Sequence, residues 1–162
     1  MTAFLARVWM MVAITFLAMS GIQATAQPAG VVGTGTLSSD SCLQGAARFH
    51  GVNPMILRAI VFHESRDNPN LVLRNVNGSE DLGLSGLNSV HLPELARYGI
   101  RREQLLDGCI NVYVAAWHLA RQVRQYGNTW VAVGSYHSKT PVHRDRYAKQ
   151  IHAVLQKWRV VP

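Results

Sequence analysis

Residues 53–65 read NPMILRAIVFHES, a pattern that predicts one amphipathic helix. Asn53 is a favoured N-cap residue, and Pro54 suits the first helical position. The inner face of this helix is formed at offsets of zero, three, four and seven residues by Leu57, Ile60, Val61 and Glu64. The apolar stripe therefore places a carboxyl group against the core or in a cleft.

Glu64 is the first candidate for chemistry. Burial raises the pKa of a carboxyl group, and the negative end of a helix dipole disfavours its charge. Both effects favour a protonated carboxyl near neutral pH, as a general acid requires. The residue pattern alone leaves two alternatives open: a side chain turned to solvent, or an ion pair with Arg66.

The sequence on both sides of this helix is mainly helical, and its length suits a single core. Further helices are predicted near residues 42–50, 91–98, 101–106, 112–126, 128–136 and 147–158, with Ser39 or Asp40 capping the first and Asn128 the fifth. Residues 66–83 are polar and rich in turn-forming pairs, which indicates a loop or a short hairpin. We expect a mainly α, single compact domain with this loop after the Glu64 helix.

Residues 1–26 are typical of a secretory signal peptide, with one arginine, a short apolar run and the A-x-A end Ala24-Thr25-Ala26. An uncleaved anchor helix is the alternative, although a bilayer span needs roughly 20 apolar residues. Residues 27–39 are predicted to be a flexible lead-in, and residues 40–162 the domain. No later segment is apolar and long enough to span a membrane, so we expect no stable span after cleavage.

Export and cleavage after Ala26 lead to a direct prediction. N-terminal sequencing of periplasmic protein should find Gln27 first, because signal peptidases cut after small residues in an A-x-A pattern. Membrane-bound protein that still begins at Met1 would contradict it.

The two cysteines and the charge distribution are informative in an exported chain. Cys42 and Cys109 are an isolated pair, which favours a disulfide over two buried thiols in an oxidising compartment. The net charge is +7, and the sequence from Arg121 onward has eight basic residues but only one acidic residue, Asp145. Such a region attracts polyanions such as acidic cell-wall polymer or an anionic membrane surface. No nucleic acid partner is expected, and a solvated surface that aids solubility is the alternative.

Several common catalytic motifs are absent from the sequence. The pair His63-Glu64 is not followed by the second histidine of H-E-x-x-H, and Leu87 stands where a nucleophile elbow needs glycine. No glycine-rich loop fits a phosphate or dinucleotide. We therefore expect neither a metal nor a cofactor.

The ordered set of local motifs resembles the lytic transglycosylase family of the lysozyme-like superfamily. The main pieces are residues 63–65, 81–84 and 87–89, supported by residues 46–53, 98–100, 109–112, 129–134, 136–138 and 147–148. The similarity covers about residues 42–151 and is greatest to the small exported members that accompany type III secretion, conjugation and pilus systems. It implies a lysozyme-like domain.

The resemblance also implies an activity and a site. The family cleaves the β-1,4 bond between N-acetylmuramic acid and N-acetylglucosamine in peptidoglycan glycan strands, with a 1,6-anhydro product, at the periplasmic wall. Glu64 matches its catalytic acid/base and Ser65 the supporting neighbour. Predicted substrate-binding positions are Ser65, Gly83, Leu84, Asn88, Tyr136 and His137, with Leu87 in the same groove-lining segment and the Tyr136 hydroxyl near the acid.

One departure from the family pattern affects the expected activity. Relatives usually read Gly-Leu-Met-Gln-Ile-Asn where this chain has Ser85 and Gly86 in the third and fourth places. A lost glutamine contact weakens sugar binding, so Gly86→Gln is expected to raise cleavage or affinity. Three functions stay open: a transglycosylase that opens the wall for a secretion or transfer apparatus, a glycan- or partner-binding module, and a hydrolase in which water attacks instead of the C6 hydroxyl. Glu80 and Asp81 precede Gly83, so a second catalytic acid also stays open.

Overall fold

The computed structural model describes residues 39–162, so the predicted signal peptide and all of the lead-in before Ser39 lie outside the described residues. The α-helices are α1 (Ser39–His50), α2 (Pro54–Ser65), α3 (Leu92–Leu95), α4 (Gly108–Tyr126), α5 (Trp130–Ser135) and α6 (Pro141–Lys157). Short 3-10 turns cover Ser89–His91, Ala96–Tyr98 and Glu103–Leu106. The prediction of a mainly α domain is confirmed.

Helix caps decide where the central helices begin. The Asn53 side chain accepts hydrogen bonds from the backbone N–H groups of Met55 (2.8 Å) and Ile56 (3.2 Å), as predicted for α2. The predicted cap of α5 is one residue too early. Thr129, not Asn128, has the extended backbone of an N-cap, and its hydroxyl accepts from the Ala132 N–H.

The polar segment after α2 folds into a small antiparallel sheet. Its strands are β1 (Val72–Arg74), β2 (Glu80–Leu82) and β3 (Leu87–Asn88), in the order β1-β2-β3. The predicted hairpin is thus confirmed, whereas β3 was not predicted because two residues are too few to show a period. Leu82 pairs with Leu87 on the buried face of the sheet, and Asp81 pairs with Asn88 on the opposite face.

Helix α4 is shared by two hydrophobic cores. Val112 faces the larger core, to which α1, α2, α5 and α6 contribute, and Val114 faces a smaller core beneath the sheet. The smaller core consists of Leu82, Leu87, Leu95, Leu105 and Val114. The sheet is therefore fixed against the same helix that supports α2. Among the described residues, no helix is both long and apolar enough to cross a membrane.

A disulfide joins Cys42 in α1 to Cys109 in the first turn of α4, which confirms the predicted pair. The two cysteines are separated by 67 residues. In the loop-entropy model, a bridge of this span stabilises the fold by about 4 kcal/mol. The bridge therefore holds together the two helices that frame one side of the larger core.

Candidate active site

A groove of about 740 Å³ lies where the sheet meets the ends of α2 and α5 and the middle of α4. The lining residues are Glu64, Arg74, Asn75, Val76, Asn77, Ser79, Asp81, Gly86, Leu87, Asn88, Val90, His91, His118, Tyr136 and His137. Its volume and mixture of polar and apolar groups suit a ligand of several rings. Glu64, Leu87, Asn88, Tyr136 and His137, all predicted site residues, meet in this groove.

Glu64 lies in the last turn of α2, with its carboxyl group between a tyrosine and a glycine. The Tyr147 hydroxyl donates a hydrogen bond to Glu64 Oε1 (2.5 Å). On the other side, a Cβ atom added to Gly86 would lie 3.0 Å from Glu64 Oε2. Neither alternative for Glu64 occurs: the side chain is largely covered, and the Arg66 guanidinium lies over the Phe62 ring (4.7 Å).

The surroundings of Glu64 raise its pKa to about 7. Burial is the largest cause, and the nearby Asp81 carboxylate adds to it, whereas the hydrogen bond from Tyr147 opposes both. A carboxyl group with this pKa is present in both its protonated and its ionised form near neutral pH. It can therefore both give and accept a proton there.

Tyr147 is a site residue that the sequence did not reveal as such. It belongs to the apolar stripe of α6 and is 3% exposed, so the pattern counts it as core. Its ring stacks on His137 (5.0 Å between ring centres) and meets the edge of His63 (5.3 Å). Burial and the Glu64 charge hold the pKa of Tyr147 well above its usual value, so its hydroxyl stays protonated as a donor. The available signal was that a buried tyrosine hydroxyl needs a partner.

Tyr136 lines the groove, but its hydroxyl does not contact the acid. It donates to the backbone carbonyl of Ser85 (3.3 Å), and the Tyr136 ring stacks on Tyr147 (6.3 Å). The predicted hydrogen bond near the acid is therefore made by Tyr147, because α6 brings that hydroxyl closer to Glu64. Burial, chiefly, lowers the pKa of His137, so His137 is a neutral stacking partner in the groove.

Asp81 faces the groove and is held by amide side chains. Asn88 Nδ2 donates to Asp81 Oδ1 (2.7 Å), and Asn75 Nδ2 donates to Asp81 Oδ2 (3.1 Å). The second Asn88 donor is also used, at Ser79 Oγ (3.0 Å). With both donors used inside the protein, the Asn88 side chain positions Asp81 rather than offering hydrogens to a sugar.

Glu80, the neighbouring acid, points away from the groove because successive strand residues face opposite sides. Its carboxylate pairs with Arg102 (2.7 Å) and Arg74 (3.4 Å). The hydrogen bond from Arg102 is the main cause that lowers the pKa of Glu80. Of the two acids that the sequence left open, only Asp81 shares the groove with Glu64.

Three other predicted binding residues lie behind the groove. Leu84 is 5% exposed and packs in the larger core, and the Ser65 hydroxyl donates to the Val61 carbonyl. Gly83 has φ +68°, and a Cβ atom there would overlap the Asn111 side chain and the Leu105 carbonyl. Their contribution in this structure is to place the segment that carries Gly86 and Asn88.

Asn111 in α4 anchors the turn that leads to Gly86. Its Nδ2 donates to the Leu82 and Leu105 carbonyls (2.9 and 2.8 Å), and its Oδ1 accepts from the Ser85 N–H and hydroxyl (2.8 and 2.6 Å). Ser85 is fully buried. The serine that departs from the family pattern is therefore a buried anchor and not a weakened sugar contact.

No group of three or more His, Cys, Asp and Glu side chains within residues 39–162 has the arrangement of a metal site.

Comparisons with known proteins agree with the geometry. Invasion protein IagB of Salmonella typhimurium (strain SL1344) is 39% identical over 115 residues, 68% of this chain and 72% of that protein. The X polypeptide of Escherichia coli (strain K12) is 37% identical over 120 residues, 70% and 71% of the two chains. Protein IpgF of Shigella flexneri is 32% identical over 121 residues, 72% and 80% of the two chains. The model of the transglycosylase SLT domain matches residues 41–153, and this chain therefore belongs to that family.

Proposed function

We propose that this chain is a lytic transglycosylase that cleaves the β-1,4 bond between N-acetylmuramic acid and N-acetylglucosamine, with Glu64 as its sole acid/base. The observation that carries the proposal is a largely buried carboxyl group, with a pKa of about 7, that lines a groove large enough for a ligand of several rings. Membership of the SLT family supports the class of reaction.

The reaction needs one group that works first as an acid and then as a base. Protonated Glu64 gives its proton to the glycosidic oxygen as the bond from that oxygen to the muramic C1 breaks. The carboxylate then removes the proton of the muramic C6 hydroxyl, whose oxygen bonds to C1 and closes a 1,6-anhydro ring. No water is consumed, and Glu64 ends protonated. Since Tyr147 occupies Oε1, Oε2 is the oxygen that exchanges the proton.

Digestion of purified peptidoglycan with mass analysis of the fragments tests this proposal. A transglycosylase yields anhydro fragments that are one water lighter than those from a hydrolase. Products with reducing ends instead would reject the transglycosylase mechanism. Absence of any cleavage by pure protein would favour a module that only binds glycan, although a binder has no need for a buried acid.

Hydrolysis is the second candidate, and the position of Asp81 favours it. A carboxylate on the far side of the sugar stabilises positive charge at C1 or acts on it directly in glycosidases that use two acids. Asp81 faces the groove and is fixed by Asn75 and Asn88. The same digestion separates the two reactions.

We further propose that the chain acts in the periplasm and opens the wall locally for a secretion, conjugation or pilus apparatus. The signal-like N-terminus supports export, and one relative is named an invasion protein. Peptidoglycan glycan strands are the proposed substrate, and components of such an apparatus the proposed partners. Deletion of the gene should reduce assembly of the apparatus, and protein lacking residues 1–26 should not restore it.

The proposed acid predicts opposite pH shifts for its two neighbours. Cleavage requires protonated Glu64, so kcat/KM should fall as pH rises through about 7. Asp81→Asn removes a charge that raises the Glu64 pKa, so this fall should move to lower pH. Tyr147→Phe removes a hydrogen bond that lowers it, so the fall should move to higher pH. Shifts of kcat/KM profiles in the same direction would contradict the assignment.

A further inference from the structure

His118 in α4 is a groove residue that the proposed chemistry does not use. Its side chain is largely buried, with 8% of the residue exposed, and its ring contributes to the lining. Nε2 lies 3.0 Å from the Tyr136 carbonyl oxygen. A carbonyl only accepts, so Nε2 carries the hydrogen, and in the neutral ring Nδ1 is then an acceptor.

This acceptor has no partner in the described part of the chain. Burial is the main cause that lowers the pKa of His118 to about 4, and the neighbouring His91 contributes, so the ring is neutral at physiological pH. Buried polar atoms in folded proteins are nearly always satisfied. An unpaired acceptor beside a ligand groove is therefore a position where a hydrogen-bond donor on the ligand satisfies a buried polar atom.

His91 also lines the groove and packs against the His118 ring. Its ring lies 4.6 Å from the His118 ring, centre to centre, and 6.4 Å from the Trp117 ring. The His91 side chain makes ring contacts but no hydrogen bond to any residue in 39–162. It projects from the short 3-10 turn that follows Asn88, so rotation about its side-chain bonds breaks no hydrogen bond.

We propose that His118 Nδ1 accepts a hydrogen bond from an N-acetylated sugar bound in the groove, after the His91 ring rotates aside. The inference rests on the proposed function and adds a sugar subsite to it. The donor is a sugar hydroxyl or the acetamido N–H, since both are plentiful on N-acetylhexosamines and Nδ1 only accepts. A charged or aromatic ligand without such a donor gains nothing at this position.

Two substitutions separate sugar binding from a structural role. His118→Gln places an amide near Nε2, so it keeps the contact with the Tyr136 carbonyl and loses the Nδ1 acceptor. His118→Asn places an amide near Nδ1, so it keeps an acceptor and loses the Tyr136 contact. Both are made in full-length protein that carries Glu64→Gln, so that binding is measured without cleavage. Thermal unfolding of each variant reports on the fold.

The probe is a GlcNAc–MurNAc tetrasaccharide, with Kd measured by calorimetry. We expect about fivefold weaker binding for His118→Gln, the value of one ordinary hydrogen bond, and near-normal binding for His118→Asn despite its lower unfolding temperature. Sugar binding should also shift the imidazole Nδ1 resonance of His118 in 15N-labelled protein. That measurement leaves His118 intact and does not depend on the variants folding.

Each other outcome counts against the subsite. Weaker binding by His118→Asn alone would mean that His118 only positions Tyr136, and equal Kd values would exclude the contact while leaving the proposed function intact. Failure of the Glu64→Gln protein itself to bind the tetrasaccharide would count against both. Where His118→Gln weakens binding as expected, a tetrasaccharide with N-methylated acetamido groups identifies the donor. Loss of the His118→Gln effect with this probe assigns the acetamido N–H, and persistence assigns a hydroxyl.

Discussion

Replacing Glu64 with glutamine is expected to reduce cleavage of peptidoglycan to near background. Glutamine keeps the shape of the side chain and one oxygen for the Tyr147 hydroxyl, but it cannot exchange a proton. General acid–base catalysis contributes about 10²–10⁴ in rate, and here one group supplies both steps. Release of soluble fragments from purified peptidoglycan measures the loss, and glycan binding should remain because the groove is otherwise unchanged.

Glu80→Gln is the matched control. The residue is one position from Asp81 in the same strand, but its carboxylate pairs with Arg102 outside the groove. Its loss should leave most of the cleavage rate intact. The cleavage rate of Asp81→Asn should lie between those of Glu64→Gln and Glu80→Gln, since Asp81 raises the pKa of Glu64 but does not exchange the proton itself. Full activity of Glu64→Gln would overturn the assignment of the acid.

Glu64→Gln should also be more stable than the unaltered protein at alkaline pH. A Glu64 pKa near 7, against 4.5 for an ordinary glutamate, means that the folded protein holds its proton more tightly than the unfolded chain. Stability is therefore lost as pH rises from about 4.5 through 7. At 1.36 kcal/mol for each pH unit, Glu64→Gln should recover roughly 3 kcal/mol at pH 8. Urea unfolding at pH 5 and pH 8 measures the difference.

Periodicity and cap residues predicted the parts of the fold that depend on local physics. Asn53 and Pro54 begin α2 as expected, and the stripe of that helix carries Glu64 to the groove. The site partners of Glu64 come from distant parts of the chain. Tyr147 lies 83 positions away and shares the pattern of an ordinary core residue, so no local signal separates it from its neighbours.

The turn before Gly86 shows a second limit of sequence comparison. Ser85 stands where relatives have methionine, and matching by position treats it as a changed groove contact. In the fold, the backbone N–H and the hydroxyl of Ser85 both bond to Asn111, a residue 26 positions away. A serine and an asparagine on separate elements reveal that pairing only when their distance is known. The closeness of Gly86 to Glu64 is likewise revealed only by the folded structure.

Gly86→Gln is expected to weaken cleavage, contrary to the result that matching to relatives predicts. Gly86 has φ +55°, in the left-handed region where a side chain costs about 1–2 kcal/mol. A Cβ atom there would lie 3.0 Å from Glu64 Oε2 and 3.3 Å from Glu64 Cβ. The glutamine would therefore press on the acid before its amide could reach a sugar.

The expected loss is on the order of tenfold in kcat/KM, because a displacement of about 1 Å in a catalytic group costs about 100-fold and a Cβ atom at 3.0 Å makes Glu64 give by only a few tenths of an ångström. Gly51→Gln is the control, since Gly51 has a similar φ of +68° and a Cβ atom there meets nothing within 4 Å. Both variants should lose the same stability from backbone strain, measured by urea unfolding. Only Gly86→Gln should also lose activity. Gly86→Ala should reproduce most of the loss, since the crowding begins at Cβ. A gain in cleavage by Gly86→Gln would instead mean that Glu64 moves aside without harm and that a missing amide limits sugar binding.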